Sequence, residues 1–164
     1  MVQLDNLLLE LTTALRRSKL KISSAESCTG GLIAGLLTEL PGSSIWFDRG
    51  FVTYSNLAKQ EMLGVDPQLI KNHGAVSEQV AIAMAKGALL HSAAQLSFAV
   101  TGIAGPDGGS AEKPVGTVWF AWAMQGLPVD SLERHFTNAS RQEVRHLACV
   151  QALEGAIQQI NQAI

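Results

Sequence analysis

Charge is scarce in this chain. Only 16% of its 164 residues are charged, and 12 basic against 14 acidic side chains leave a formal net charge of -2. That balance excludes the basic footprint with which proteins hold a nucleic-acid backbone, and it supplies no polybasic patch for an anionic membrane surface. The expected partner is a small molecule, with no nucleic acid and no membrane. Cysteine is limited to Cys28 and Cys149, which have no metal-ligand spacing, and His73, His91, His135 and His146 show none either, so no metal site is expected. No apolar run approaches the roughly 18 residues needed to cross a bilayer. The first residues also lack the charged and apolar regions of a signal peptide, which points to a reducing cytoplasm. Neither an internal repeat nor a low-complexity tract is present. What remains is a chain 47% hydrophobic, enough to bury the core of one domain over residues 1–164.

The stretch that organises the rest is Ala25-Glu26-Ser27-Cys28-Thr29-Gly30-Gly31. It joins an alternating run (Leu20, Lys21, Ile22, Ser23) to a compact apolar segment from about Leu32 to Leu40, which Pro41-Gly42 ends. Such a pattern predicts a strand, a turn and a helix buried against the sheet. A hydroxyl on this turn stands beside the first free N–H groups of the helix, which could hold a phosphate or an oxyanion. The alternative reading of the same residues is that Ser27 or Thr29 only caps the helix.

Further elements follow in order. Leu4, Leu7, Leu8, Leu11 and Leu15 recur at helical spacing. Ser43 and Ser44 fall in a loop, and Phe51 to Tyr54 predict a second strand. Asn56 is placed to cap a short helix ended by Gly64, and Lys59 falls in its first turn. There the helix dipole disfavours a cation, and burial would lower the lysine's pKa towards that of a base. A solvated surface lysine is the other reading. Pro67 opens a weak helix to His73, and Ser77 caps an alanine-rich helix whose packing face is Val80, Ala83, Met84, Gly87 and Leu90. Leu96 to Val100 predict a third strand running into a second glycine-rich loop, Thr101 to Ser110. Val115 to Met124 and a run to Phe136 predict a fourth and a fifth, and short connections would make the last three strands an antiparallel meander. Ser140 and Glu143 form a capping box for the last helix, with Val144, Leu147, Val150, Leu153, Ile157 and Ile160 on its apolar face. Arg141 at its first position suggests a held anion, and Arg145 one turn later is a weaker candidate.

No Gly-x-Ser-x-Gly elbow is present and no lysine follows Ser27 by three residues, which leaves a serine–lysine pair of another kind open. Taken with LPGSS at residues 40–44, GFVTYSN at 50–56 with Lys59, GAVSEQV at 74–80 and VTGIAGPDGG at 100–109 continuing to Lys113-Pro114-Val115-Gly116-Thr117-Val118, the AESCTGG turn resembles the CinA C-terminal domain family. The resemblance covers nearly the whole chain. It implies a three-layer α/β/α sandwich with a five-stranded mixed sheet, and hydrolysis of the carboxamide of nicotinamide mononucleotide to the acid and ammonia. By the same resemblance, a serine–lysine dyad acts without cofactor or metal, with Ser27 as nucleophile, Lys59 as base and Tyr54 assisting or orienting them. Backbone N–H groups around Ser27 to Gly30 are implied as the oxyanion hole. Gly30, Ser44, Thr101, Gly102 and Arg141 are implied as substrate contacts, Arg141 for the phosphate, and a homodimer follows by analogy. The sequence departs from the family in carrying Ala139-Ser140 before Arg141, in place of Gly-Asp, and Ala94-Gln95 in place of Ala-Asp. Rival readings are a nucleotide-binding module without turnover, a serine hydrolase for another small amide, and a nucleophile at Cys28.

Overall fold

A computed structural model describes residues 2–163. Helix α1 (Val2–Ser18) is followed by β1 (Ile22–Glu26), α2 (Leu32–Leu37), a short 3-10 turn (Ser43–Ile45) and β2 (Phe47–Val52). Then come α3 (Asn56–Leu63), α4 (Pro67–His73), α5 (Glu78–Leu90), β3 (Leu96–Gly102), β4 (Thr117–Met124), β5 (Asp130–His135) and α6 (Arg141–Ala163). The five strands form one sheet in the order β2-β1-β3-β4-β5. β1 runs parallel to β2 and β3, while β3, β4 and β5 are antiparallel neighbours. The expected mixed sheet and terminal meander are therefore present, although residues 103–116 make the β3–β4 connection long rather than short.

The two faces of the sheet differ in side-chain size, and this sets what packs on each. Ile22, Leu96, Phe98, Val100, Val118, Phe120, Trp122 and Met124 join the buried residues of α1, α2 and α6 in one core. The opposite face offers Ala25, Ala99, Ala121 and Ala123 to α3, α4 and α5. Small residues let the alanine-rich α5 lie close to the sheet, so close that strand serines reach its carbonyls. Ser23 Oγ donates to Ala88 O at 3.3 Å and Ser97 Oγ donates to Ala85 O at 2.7 Å. These bonds satisfy hydroxyls that burial would otherwise leave unpaired.

Several boundaries differ from the sequence reading. β2 starts at Phe47 and ends at Val52, because its pairing with β1 begins at Ile22↔Phe47 and is complete at Glu26↔Val52; Thr53 and Tyr54 lie beyond it. Ser55, not Asn56, caps α3, its side chain accepting from Ala58 N. α2 is shorter than the apolar run suggested, and only Ile33 and Leu37 of it are buried. On α5 the buried face is Val80, Ala81, Met84, Ala85, Gly87 and Ala88. Leu90, expected on that face, is 79% exposed, since it stands in the last turn where the helix leaves the sheet. Leu147 of α6 is likewise partly exposed, its place in the core taken by Ala148 and Cys149. The capping residues Ser77 and Ser140 and the stop at Gly64 stand where the sequence put them.

Candidate active site

The parallel strands end together, and the register decides what meets there. Val52, Glu26 and Val100 lie side by side as the last paired positions of β2, β1 and β3, so the next residues, Thr53, Ser27 and Thr101, stand at one sheet edge. Carboxyl ends of parallel strands on either side of a reversal in strand order leave a crevice, the usual ligand site of open α/β sheets. Main-chain bonds tie the three arms together: Ser27 N donates to Val100 O at 3.0 Å, and Thr53 N donates to Glu26 O at 2.8 Å.

Lys59 enters from the fourth position of α3. Its face of that helix turns inward with Leu63, one turn on, and the side chain is 1% exposed. Lys59 Nζ lies 3.0 Å from Ser27 Oγ, and it donates to Thr53 O at 2.8 Å and Tyr54 O at 3.2 Å. Among the described residues no carboxylate pairs with the ammonium, and burial pulls its pKa from 10.5 down to about 8. As an ammonium, Lys59 Nζ donates to Ser27 Oγ and to both carbonyls. On losing a proton it keeps two N–H groups for the carbonyls and turns its lone pair to the Ser27 hydroxyl.

A cleft of about 290 Å³ opens above this pair, lined by Ser27, Cys28, Tyr54, Asn56, Lys59, Ala75, Val76, residues 101–105, Asp107, Gly108 and Arg141. Thr101 is buried beneath it and donates through Oγ1 to Ala75 O at 2.9 Å, joining the floor to the segment before α5. Arg141 reaches over from α6, donating through Nη1 to Gly105 O at 2.8 Å and through Nη2 to the Tyr54 hydroxyl at 3.3 Å. Tyr54 thus gives its carbonyl to Lys59 and its phenol to Arg141, and its ring stands exposed at the mouth. Ser27, Lys59, Tyr54, Thr101, Gly102 and Arg141 are brought together; Ser44 and Gly30 are not. Ser44 sits exposed on the 3-10 turn, and neither residue lines the cleft. Gly30 has a positive φ of 59° and closes the turn by donating to Ser27 O at 3.1 Å.

Sequence reasoning missed what the start of α2 does. Its N–H groups are not free for an anion, because the wholly buried Glu26 carboxylate already accepts from Ile33 N at 2.9 Å and Ala34 N at 3.0 Å. Neither Ser27 nor Thr29 caps this helix; Gly31 is the cap residue, and Thr29 Oγ1 is buried without a partner. An acid at the last position of a strand that leads into a helix was the available signal, since carboxylates favour helix N-termini. Among the amides of the turn, those of Cys28, Thr29 and Gly31 donate to no protein acceptor, in contrast to those of Ser27 and Gly30. The α6 start is also occupied, by the reciprocal Ser140–Glu143 box. The Cys28 thiol, though it borders the cleft, is pushed up to about 11 by burial, which leaves it protonated at neutral pH.

Among the described residues no group of three His, Cys, Asp or Glu side chains is arranged to hold a metal ion, and no helix is long and apolar enough to cross a membrane. A larger groove of about 1030 Å³ between α1, α2 and α6 contains neither Ser27 nor Lys59, so size is a poor guide to the chemistry here.

Comparison with known proteins places the chain among relatives. The nicotinamide-nucleotide amidohydrolase PncC of Enterobacter agglomerans is 50% identical over 157 residues, 96% of this chain and 95% of that protein. Its namesake from Escherichia coli K12 is 48% identical over 152 residues, 91% of this chain and 90% of that protein. The crystal structure of the competence/damage inducible protein CihA from Agrobacterium tumefaciens superposes with a TM-score of 0.93 at 48% identity, covering 97% of this chain and 96% of that one. The model of the CinA C-terminal domain matches residues 4–160, and the chain belongs to the CinA C-terminal domain family.

Proposed function

We propose that this protein hydrolyses the carboxamide of nicotinamide mononucleotide to nicotinic acid mononucleotide and ammonia, with Ser27 as nucleophile and Lys59 as its base. The observation that carries the proposal is the 3.0 Å approach of a buried, carboxylate-free lysine to a serine hydroxyl; the names of the PncC relatives supply the substrate. Lys59 takes the hydroxyl proton as Ser27 Oγ bonds to the amide carbon. Of the turn amides, those of Cys28 and Thr29 are free of protein acceptors and receive the developing oxyanion. The Lys59 ammonium then returns the proton to the leaving nitrogen, and ammonia departs from an acyl-serine. Water, losing its proton to Lys59, attacks that ester and releases the acid, and the proton passes back to Ser27. These steps balance with the chain, the substrate and one water.

Thr53 O and Tyr54 O orient the amine. Arg141 at the cleft mouth suits the phosphate, since a guanidinium bonds its oxygens through two parallel donors. The same reading assigns a homodimer, by family analogy, and a cytoplasmic site, in keeping with two free, buried cysteines. Incubation of the purified protein with the mononucleotide, following ammonia, tests the activity. Ser27→Ala and Lys59→Ala should each lose on the order of 10²–10⁴ in kcat, and Arg141→Ala should raise KM. Wild-type turnover by Ser27→Ala would end the dyad reading. Equal turnover of free nicotinamide would remove the role given to the phosphate.

A further inference from the structure

The serine turn is gripped from two sides by opposite charges that do not pair with each other. Glu26 spends both carboxylate oxygens on the amides of Ile33 and Ala34. Arg145, one helical turn beyond Arg141, donates through Nε to Cys28 O at 3.1 Å and through Nη2 to Thr29 O at 3.2 Å. A charge-assisted bond is stronger than a neutral one, so the residues just after Ser27 are held by their carbonyls from α6, while the helix that follows is held by its amides from β1. Peptide planarity turns this into a statement about direction. In a trans peptide the C=O and the next N–H point opposite ways. With the Cys28 carbonyl aimed at Arg145, the Thr29 amide faces away from α6. With the Thr29 carbonyl aimed there too, the Gly30 amide faces away and closes on Ser27 O. Gly30 takes its positive φ in this same turn, and a Cβ on it would stand 3.5 Å from Arg145 Nη2.

We propose that Glu26 and Arg145 are positioning residues that together fix the Ser27 turn, and that Arg145, unlike its neighbour Arg141, acts through the backbone of the turn rather than on the substrate. The two arginines of the first turns of α6 thereby divide the work: one stands at the cleft mouth and the other beneath the nucleophile. This inference rests on Ser27 being the nucleophile, and the test separates the two ideas. A fluorophosphonate probe, which needs a correctly held serine but no mononucleotide, is used to measure the labelling rate of Ser27 in wild type, Arg145→Lys and Glu26→Gln. In parallel, kcat and KM are measured with nicotinamide mononucleotide, and thermal unfolding reports the folded fraction.

The expected result is a fall of about tenfold or more in labelling and in kcat for both variants, since displacement of a reacting group by an ångström is worth that much. KM should stay within about twofold, against a raised KM in Arg141→Ala. Labelling of both variants at the wild-type rate overturns the proposal. So does an Arg145→Lys protein with raised KM and unchanged kcat, which would make Arg145 a substrate ligand. Arg145 is only half-buried, so its lysine variant decides the matter should the fully buried Glu26→Gln fail to fold. Wild type that labels at Ser27 but leaves the mononucleotide intact refutes the proposed substrate and leaves the labelling comparison valid.

Discussion

Lys59 is a lysine made unlike a lysine by where it lies. Its sequence position offered both the helix dipole and burial as reasons for a lowered pKa; in the structure the cause is burial. The sign of the consequence can be worked out. Below about pH 8 the side chain binds a proton in both the folded and unfolded states. Between about 8 and 10.5 the unfolded chain keeps that proton and the folded one does not, so stability attributable to Lys59 rises with pH across this window. The shift corresponds to on the order of 3 kcal/mol. Relative to Lys59→Met, the wild-type protein should therefore gain unfolding free energy between pH 7 and 10, as measured by urea denaturation; a constant difference would show that Lys59 titrates normally. Activity should rise with pH through about 8 as the amine loses its proton, then level off. Ser27 and Lys59 were legible in the sequence as residue types on a turn and a helix start. Glu26 was missed although its place before a helix start hinted at it, because only the fold shows that its carboxylate meets the Ile33 and Ala34 amides.

At the scale of elements, capped helices were the most legible part, and the reason is local. Ser77, Ser140 with Glu143, and Gly64 act within a few residues of themselves, so their signals survive in a linear reading. The limits of β2 are set by its partner β1, and the burial of α5 by which side meets an alanine-lined sheet; both are properties of distant residues. Gly87 shows how far this matters to the site. It sits where α5 crosses α3, and a Cβ there would overlap the Leu63 carbonyl. Leu63 is one helical turn from Lys59 on the same inward face. Gly87→Ala would gain about 1 kcal/mol of helix propensity, yet it should lose more by forcing two backbones apart, on the order of 1–3 kcal/mol. The expected outcome is a lower thermal midpoint together with a reduced kcat, since the displaced α3 carries Lys59, the proposed base. A more stable, fully active variant would show that the helices can part without moving Lys59.

The whole molecule is a sheet with one bulky and one small face, and its two helical layers are held at unequal distances. On the bulky side α6 is notched to admit Trp122. Gly155 leaves no atom where a Cβ would strike the indole, and the indole N–H donates to Ala152 O at 3.0 Å. Gly155→Ala should consequently lower the denaturation midpoint despite its better helix propensity, and shift tryptophan fluorescence as the ring loses its pocket; an unchanged spectrum and midpoint would refute the notch. The layered architecture was expected from the family resemblance and the terminal meander from the strands and the connections between them, whereas the notch was not legible, because a lone glycine in a helix does not name its neighbour.

One bond gives the arrangement an observable of its own. The Thr53 amide, bonded to Glu26 O, joins the strand that leads to Ser27 to the loop whose carbonyls hold Lys59. It is buried on a residue with no exposure, so it trades its proton with deuterated solvent when these two arms separate. Its exchange rate counts the openings of the Ser27–Lys59 pair, in the resting protein and with no substrate present.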